Sequence, residues 1–372
     1  MRKISFKDAL GLASNLLKGR NFLDKKVHSY FRNQFKGDFI LLDSGTSSMQ
    51  ALIEDFKLKG SEVIIPSFIC SDVFTSLFIQ NEINPIIIDC KKDSLNISLS
   101  DVKKKITKKT KAILIVHTLG IPSNPEGFRK LCDKNKIILI EDCAHAISTP
   151  YKNSYLGNFG DASIFSFAKE MPNFAGGIYL NNRRKINSSL TLKIPAYRYS
   201  LRTLKMLFHK TVFSRFYLSI KKRRDKGEQH SDKPRIPQTM PKLAKAMAIH
   251  YLQKRDIKTK RENALKLYEE LKRHKIDAPL TKEDIASFSA KSFPLLTNHQ
   301  EKVLQELFDL GLNPGKGWTP VFSQNKVVQK WGLPPTPVAE HYSRSLVTVS
   351  LDEVTEDNLS LIASIIQKEK IT

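Results

Sequence analysis

Two short apolar runs in this sequence each end in a group able to do acid–base or covalent chemistry. Ile137 to Ile140 is followed at once by Glu141 and Asp142, and Ala162 to Phe167 carries Ser166 with Lys169 just beyond, ahead of Gly176-Gly177. Runs of this length form strands buried on both faces of a parallel sheet. Ligands of such sheets sit outside the carboxyl ends of the strands. A carboxylate and a primary amine delivered to that edge suit an aldehyde cofactor such as pyridoxal phosphate: the lysine forms the Schiff base, and the acid keeps the pyridine nitrogen protonated so that the ring acts as an electron sink. Each residue alone also has a plainer reading, the carboxylate as a helix cap and the lysine as a solvated side chain.

The elements that must position these groups are legible on either side. Leu41 to Gly60 reads as a strand end, a small-residue turn and a helix with Met49, Leu52, Ile53 and Phe56 along one side. Gly45 allows close backbone approach, and the N–H groups at the helix start, with the hydroxyls of Thr46 and Ser47, form an anion cradle suited to a cofactor phosphate. An ordinary Ser/Thr N-cap gives the same pattern. Glu62 to Phe68, Asn84 to Cys90 and Thr110 to Gly120 supply further β-rich runs separated by helix-compatible stretches. The basic run Asp101 to Lys111 between the last two reads as a solvated helix and turn. This alternation predicts an α/β fold with a mostly parallel sheet covered by helices on both faces. From about Lys272 the pattern becomes a smaller C-terminal α+β lobe: a helix from about Gln300 to Leu310, a strand over Ser345 to Leu351, and a last helix capped by Thr355 with Glu356 and Asp357 in its first turn. Residues 1–36 read as one or two helices, with Ala9, Leu10, Leu12, Leu16 and Leu17 packing on a partner lobe.

SGTSS (Ser44 to Ser48), EVIIPSF, TKAILIVHTLG, IEDCAHA and LGNFGDASIFSF, then Lys and Gly-Gly, occur in an order that resembles the DegT/DnrJ/StrS sugar aminotransferases, pyridoxal-phosphate enzymes of fold type I. The resemblance covers roughly Phe39 to Asn182, weakens over Pro237 to Leu271 and returns at Ser345 to Asn358. It implies that Lys169 forms the Schiff base, that Asp142 holds the pyridine nitrogen, that His145 faces the phenolic oxygen, and that Ser166 joins Gly45, Thr46 and Ser47 in binding the phosphate. Phe68 is the aromatic nearest the position expected to stack on the ring, since Cys70 stands where relatives carry one. Lys169 follows Phe167 by two residues where relatives place four, but lies the usual seven before Gly176; AKEMPNFAGG resembles a less common Arg-Lys-x-x-Pro form with Ala168 for Arg. The Asn-x-Arg that many relatives supply across a dimer interface is replaced by Pro237, Gln238 and Thr239, with Arg235 as a substitute, and Trp318 lies in a loop that relatives place near the substrate. Arg261 and Asn263 fit the helical pattern with no chemical role. The implied reaction moves an amino group from an amino acid, glutamate, to a keto sugar on a nucleotide, in a homodimer, for surface polysaccharide or amino-sugar synthesis. The displaced lysine and missing Asn-x-Arg leave open a catalytically altered relative, a dehydratase or a non-catalytic scaffold.

With 372 residues and 41% hydrophobic content, the chain can bury one large and one small core. The expected units are a helical segment at 1–36, a cofactor-binding domain at 37–195, a basic insert at 196–236, and a long helix with the small domain at 237–372. No apolar leader follows the first residues and no run of about 18 apolar residues occurs, so the expected location is cytoplasmic. Cys70, Cys90, Cys132 and Cys143 show no CxxC spacing; reduced thiols and no metal site are expected. The formal charge is +24, with 18 basic against 4 acidic residues from Arg198 to Lys260. A nucleic-acid partner would explain such charge, but aromatic RNA motifs and a helix-turn-helix are missing. From Tyr199, Leu201, Leu204, Phe208, Val212 and Phe216 recur at helical steps before Lys221 to Arg224, a pattern over residues 199–226 that fits either packing on the protein itself or peripheral contact with an anionic membrane face.

Overall fold

The computed structural model describes residues 11, 14–70, 78–171, 175–194, 236–287, 291–317 and 332–369. Its centre is a seven-stranded sheet: β1 (Asp38–Leu42), β2 (Glu62–Pro66), β3 (Asn84–Ile88), β4 (Thr110–Val116), β5 (Ile138–Asp142), β6 (Ala162–Ser166) and β7 (Gly177–Asn181), in the order β1-β7-β6-β5-β4-β2-β3. β7 is antiparallel to both β1 and β6, and the other pairings are parallel. The sequence is apolar along these strands because both faces are covered. On β4, Ala112 and Leu114 face one cluster with Met49, Leu52 and Ile53 of α2 (Gly45–Asp55), while Ile113 and Ile115 face another with Val102 of α3 (Leu99–Lys105) and Phe128 and Cys132 of α4 (Pro125–Asn135). The period of two in a strand sends neighbours to opposite faces, and each fully buried Leu or Ile contributes roughly 1.5–3 kcal/mol.

At the other edge, Leu41, Phe165, Ile178 and Leu180 pack with Leu23, Val27 and Phe31 of the helix Arg20–Arg32 and Met247 of α6 (Lys242–Leu252). Leu16 is partly buried there, whereas Leu17 is 89% exposed on the outer side of its helix. Ala9, Leu10 and Leu12 lie outside the described residues, as do Trp318 and all of the 196–236 insert, Arg235 included, except Ile236.

α7 (Ile257–Arg273) leads into the small lobe, a three-stranded antiparallel sheet of Ser292–Leu296, Gly315–Lys316 and Leu346–Ser350 with helices Gln300–Asp309 and Glu356–Lys368. The last helix begins after Thr355, whose N–H donates to Asn358 Oδ1 at 2.9 Å. Asn263 on α7 donates to the carbonyls of Leu351 and Val354, joining that helix to the small sheet. Among the described residues no helix is long and apolar enough to cross a membrane.

Candidate active site

β5 delivers two adjacent carboxylates, and strand geometry turns them apart. Asp142 lines a cavity of about 160 Å³ at the carboxyl end of the sheet, shared with Ser44, Gly45, Thr46, Met49, Ile69, Cys70, Val116, His117, Ala144, His145, Ile164, Ser166 and Lys169. Glu141 points the other way and accepts hydrogen bonds from the N–H groups of Gly157 (3.1 Å), Phe159 (2.8 Å) and Gly160 and from His117 Nε2 (3.0 Å). His117 Nδ1 accepts from the Ser123 N–H at 3.1 Å, which leaves the ring proton on Nε2. His117, Glu141 and Cys143 bring their ligand atoms within 4.8 Å of one another. Both imidazole nitrogens and the carboxylate are already engaged, so the trio is a hydrogen-bonded brace under the cavity floor, not a set of open metal donors.

Asp142 is 5% exposed. Its Oδ1 accepts from the Ala144 N–H at 2.9 Å, and burial raises its carboxyl to about 6. A half-buried His145 follows in the loop after β5, lowered to about 3 by burial and then by the charge of Lys169. The imidazole is therefore neutral at physiological pH.

The opposite wall is the start of α2. Ser44 caps it, accepting from the Ser47 N–H at 3.2 Å, and Gly45 passes so close to β6 that a Cβ there would meet Ser166 Cβ at 3.1 Å. Gly177 explains why α2 can start here: a Cβ on it would lie 2.5 Å from the Ser44 backbone. Gly176 has φ +117°, a left-handed conformation that favours glycine. Both are needed for the sharp entry into β7 beneath the cradle.

Lys169 sits on α5 (Phe167–Glu170), a single turn directly after β6. The structure thus brings Gly45, Thr46, Asp142, His145, Ser166 and Lys169 to one cavity. Ser47 is not part of its lining: it is fully buried, and its hydroxyl donates to Asp43. Phe68 is likewise corrected as the ring-stacking candidate. It is 1% exposed and packs 6.0 Å from the ring of Tyr342 in the small-lobe core, because the chain beyond Pro66 turns Ile69 and Cys70 to the cavity instead. His117 is the lining residue that motif reading passed over; it follows an apolar strand just as Asp142 does, and that shared signature could have found it. Gln238 and Thr239 pair with Lys193 and Leu42, and the Gln238 carbonyl accepts from the Asp43 N–H at 2.8 Å, so this stretch closes the edge behind the cradle.

The DegT/DnrJ/EryC1/StrS aminotransferase family model matches residues 20–367. The chain belongs to this family. It is similar to the GDP-perosamine synthases of Vibrio cholerae (39% identical over 126 residues, 33% of this chain and 34% of that one) and Escherichia coli O157:H7 (36% over 171 residues, 45% and 46%). The matched stretches thus span a third to a half of these relatives. Among solved structures, E. coli GDP-4-keto-6-deoxy-D-mannose-3-dehydratase with bound hydrated PLP superposes with a TM-score of 0.73 at 19% identity, covering 98% of each chain. The cofactor of this fold type I family is pyridoxal phosphate. The residues present fit it: a buried carboxylate lining the cavity, a solvent-reachable amine, and a helix start where glycine leaves room and serine and threonine offer hydroxyls.

Proposed function

We propose that this chain is an aminotransferase that moves an amino group from an amino acid, glutamate, to a keto sugar carried on a nucleotide. The observation that carries the reading is the entry of Lys169 and Asp142 into one cavity from the ends of two adjacent parallel strands, facing the α2 N-terminus. When bound, pyridoxal phosphate supplies the electron sink. The N–H groups at the start of α2, with Ser44, Thr46 and Ser166, bind and orient the phosphate. Asp142 holds a proton on the ring nitrogen by a charge-assisted hydrogen bond in a dry setting. His145, neutral, offers a hydrogen bond toward the ring oxygen. Lys169 Nζ would hold the cofactor in the resting site and serve as the base that moves the proton from the donor's α-carbon. The nucleotide-linked acceptor is supported by the similarity to the GDP-perosamine synthases, and a homodimer by family resemblance.

The test mixes purified protein and pyridoxal phosphate with glutamate and follows the absorbance spectrum. The visible band of lysine-bound cofactor is expected to give way to that of the amine form, in a species that sediments as a dimer. A visible band that persists with every common amino acid would overturn the reading; a fully active monomer would remove the dimer.

A further inference from the structure

Lys169 is reached by an unusually short path from β6, and α5 has only one turn with which to aim it. On that turn Phe167 is fully buried, Glu170 is 7% exposed and Met171, which follows it, 5% exposed, whereas Ala168 and Lys169 are exposed. Residues three and four apart share a helical face. Phe167, Glu170 and Met171 therefore form the inner face, and whatever fixes it decides where Lys169 points. Phe167 and Met171 are held by apolar contacts in the cluster that includes Met240 and Met247. Such contacts are non-directional.

Glu170 supplies the directional contact. Its Oε2 accepts from Arg255 Nη2 at 2.7 Å, with the two side chains 2% and 7% exposed. Arg255 lies between α6, which packs with the large lobe, and α7, which enters the small-lobe core. Nearby on α7, Lys260 is 8% exposed and pairs with Asp352 at 3.7 Å. Burying a carboxylate beside a hydrophobic cluster is costly, and a buried pair often adds little net stability over apolar residues of the same size. A buried, directional pair placed one residue from the site lysine fits a role in setting geometry.

We propose that Glu170 and Arg255 are positioning residues: their buried ion pair fixes the rotation of the single turn that presents Lys169 to the cavity, and ties it to the connection between the lobes. The proposal rests on Lys169 being the cofactor-binding lysine.

The experiment measures two quantities on full-length protein: the dissociation constant for pyridoxal phosphate, and the fraction of bound cofactor joined to Lys169 at saturation, trapped by borohydride and read by peptide mass. Glu170→Gln is expected to lower the joined fraction or its rate of formation at least tenfold while non-covalent binding persists. Arg255→Lys, which keeps the charge pair, should stay near wild type. Glu170→Leu/Arg255→Leu is expected to melt near wild type yet join the cofactor as poorly as Glu170→Gln, and it carries the test should the single variant fail to fold. Wild-type joining in the folded Leu/Leu variant would overturn the proposal. Lys169→Ala separates the two ideas: a visible band retained there would mean that the lysine assignment itself is wrong. A wild-type protein that joins the cofactor but converts with no amino donor would fail as an aminotransferase and leave the ion-pair proposal standing.

Discussion

Asp142 ends β5 and His145 follows in the next loop, with opposite responses to burial, and this makes the pH behaviour of the cofactor-free protein readable. Asp142 rises from the ordinary 3.8 to about 6, so between those values the folded protein holds more protons than the unfolded chain, and stability falls as pH rises. Above pH 6 the buried charge costs about 3 kcal/mol, two units at 1.36 kcal/mol each. His145 falls from 6.5 to about 3; there the unfolded chain holds more protons, and stability is lost as pH falls. The two slopes oppose each other over most of the range from pH 4 to 6. Asp142→Asn should therefore leave a rise in melting temperature between pH 4 and 6, and His145→Gln a fall, relative to wild type. If both variants keep the wild-type slope in thermal melts, these environments are wrong. With cofactor bound, Asp142→Asn should slow amino transfer by about 100-fold, the weight of a charged hydrogen bond of roughly 3 kcal/mol.

At the scale of elements, the cradle exists because α2 is pressed against β7 with no side chain between them. A methyl group on Gly177 would meet the Ser44 carbonyl carbon and oxygen at 2.5 Å and Ser48 Oγ at 2.7 Å. Backbone cannot rotate away as a side chain can, so Gly177→Ala should push the start of α2 off the sheet. The expected cost is about 1–3 kcal/mol of stability, with a larger proportional loss of pyridoxal phosphate affinity than of thermal stability. Equal affinity in titration, despite a lowered melting point, would show that the cradle does not depend on this contact. The same elements show what could be read from sequence. Apolar strands ending in Asp142 and Ser166 were visible because a doubly buried strand has no polar alternation, and the end of the run marks the edge where ligands sit. Phe68 and Ser47 were misplaced for a related reason. Within a turn, no periodicity says which of several neighbours faces the cavity, and Tyr342, which holds Phe68, comes from 274 positions later in the chain. Glu170 and Arg255 were equally invisible, since pairing between distant charges leaves no local signature.

At the scale of the whole molecule, the basic insert is an excursion from one fixed point. Lys193 N–H donates to the Pro237 carbonyl and Thr239 N–H to the Lys193 carbonyl, both at 2.9 Å, so the chain leaves and returns side by side. Ile194 and Ile236, at its two feet, are 75% and 38% exposed. Residues 195–235 lie outside those described, but their sequence carries Leu201, Leu204, Phe208, Val212 and Phe216 at helical steps and the four consecutive cations Lys221 to Arg224. An amphipathic helix with such a flank binds an anionic bilayer interface, each basic residue contributing about 1 kcal/mol within a Debye length of the surface. Four of them supply roughly 4 kcal/mol at low salt, enough to shift the protein between solution and membrane. We therefore propose peripheral membrane attachment through residues 199–226, tested by sedimentation with anionic and neutral vesicles. Binding should be strong on anionic vesicles at low salt, weak at high salt, and largely lost when Lys221 to Arg224 become glutamines. Because both feet of the insert are held at the sheet edge, that substitution should leave the amino-transfer rate unchanged. Equal and negligible binding to both vesicle types would mean that the stripe packs against the protein itself and that the charge has another use.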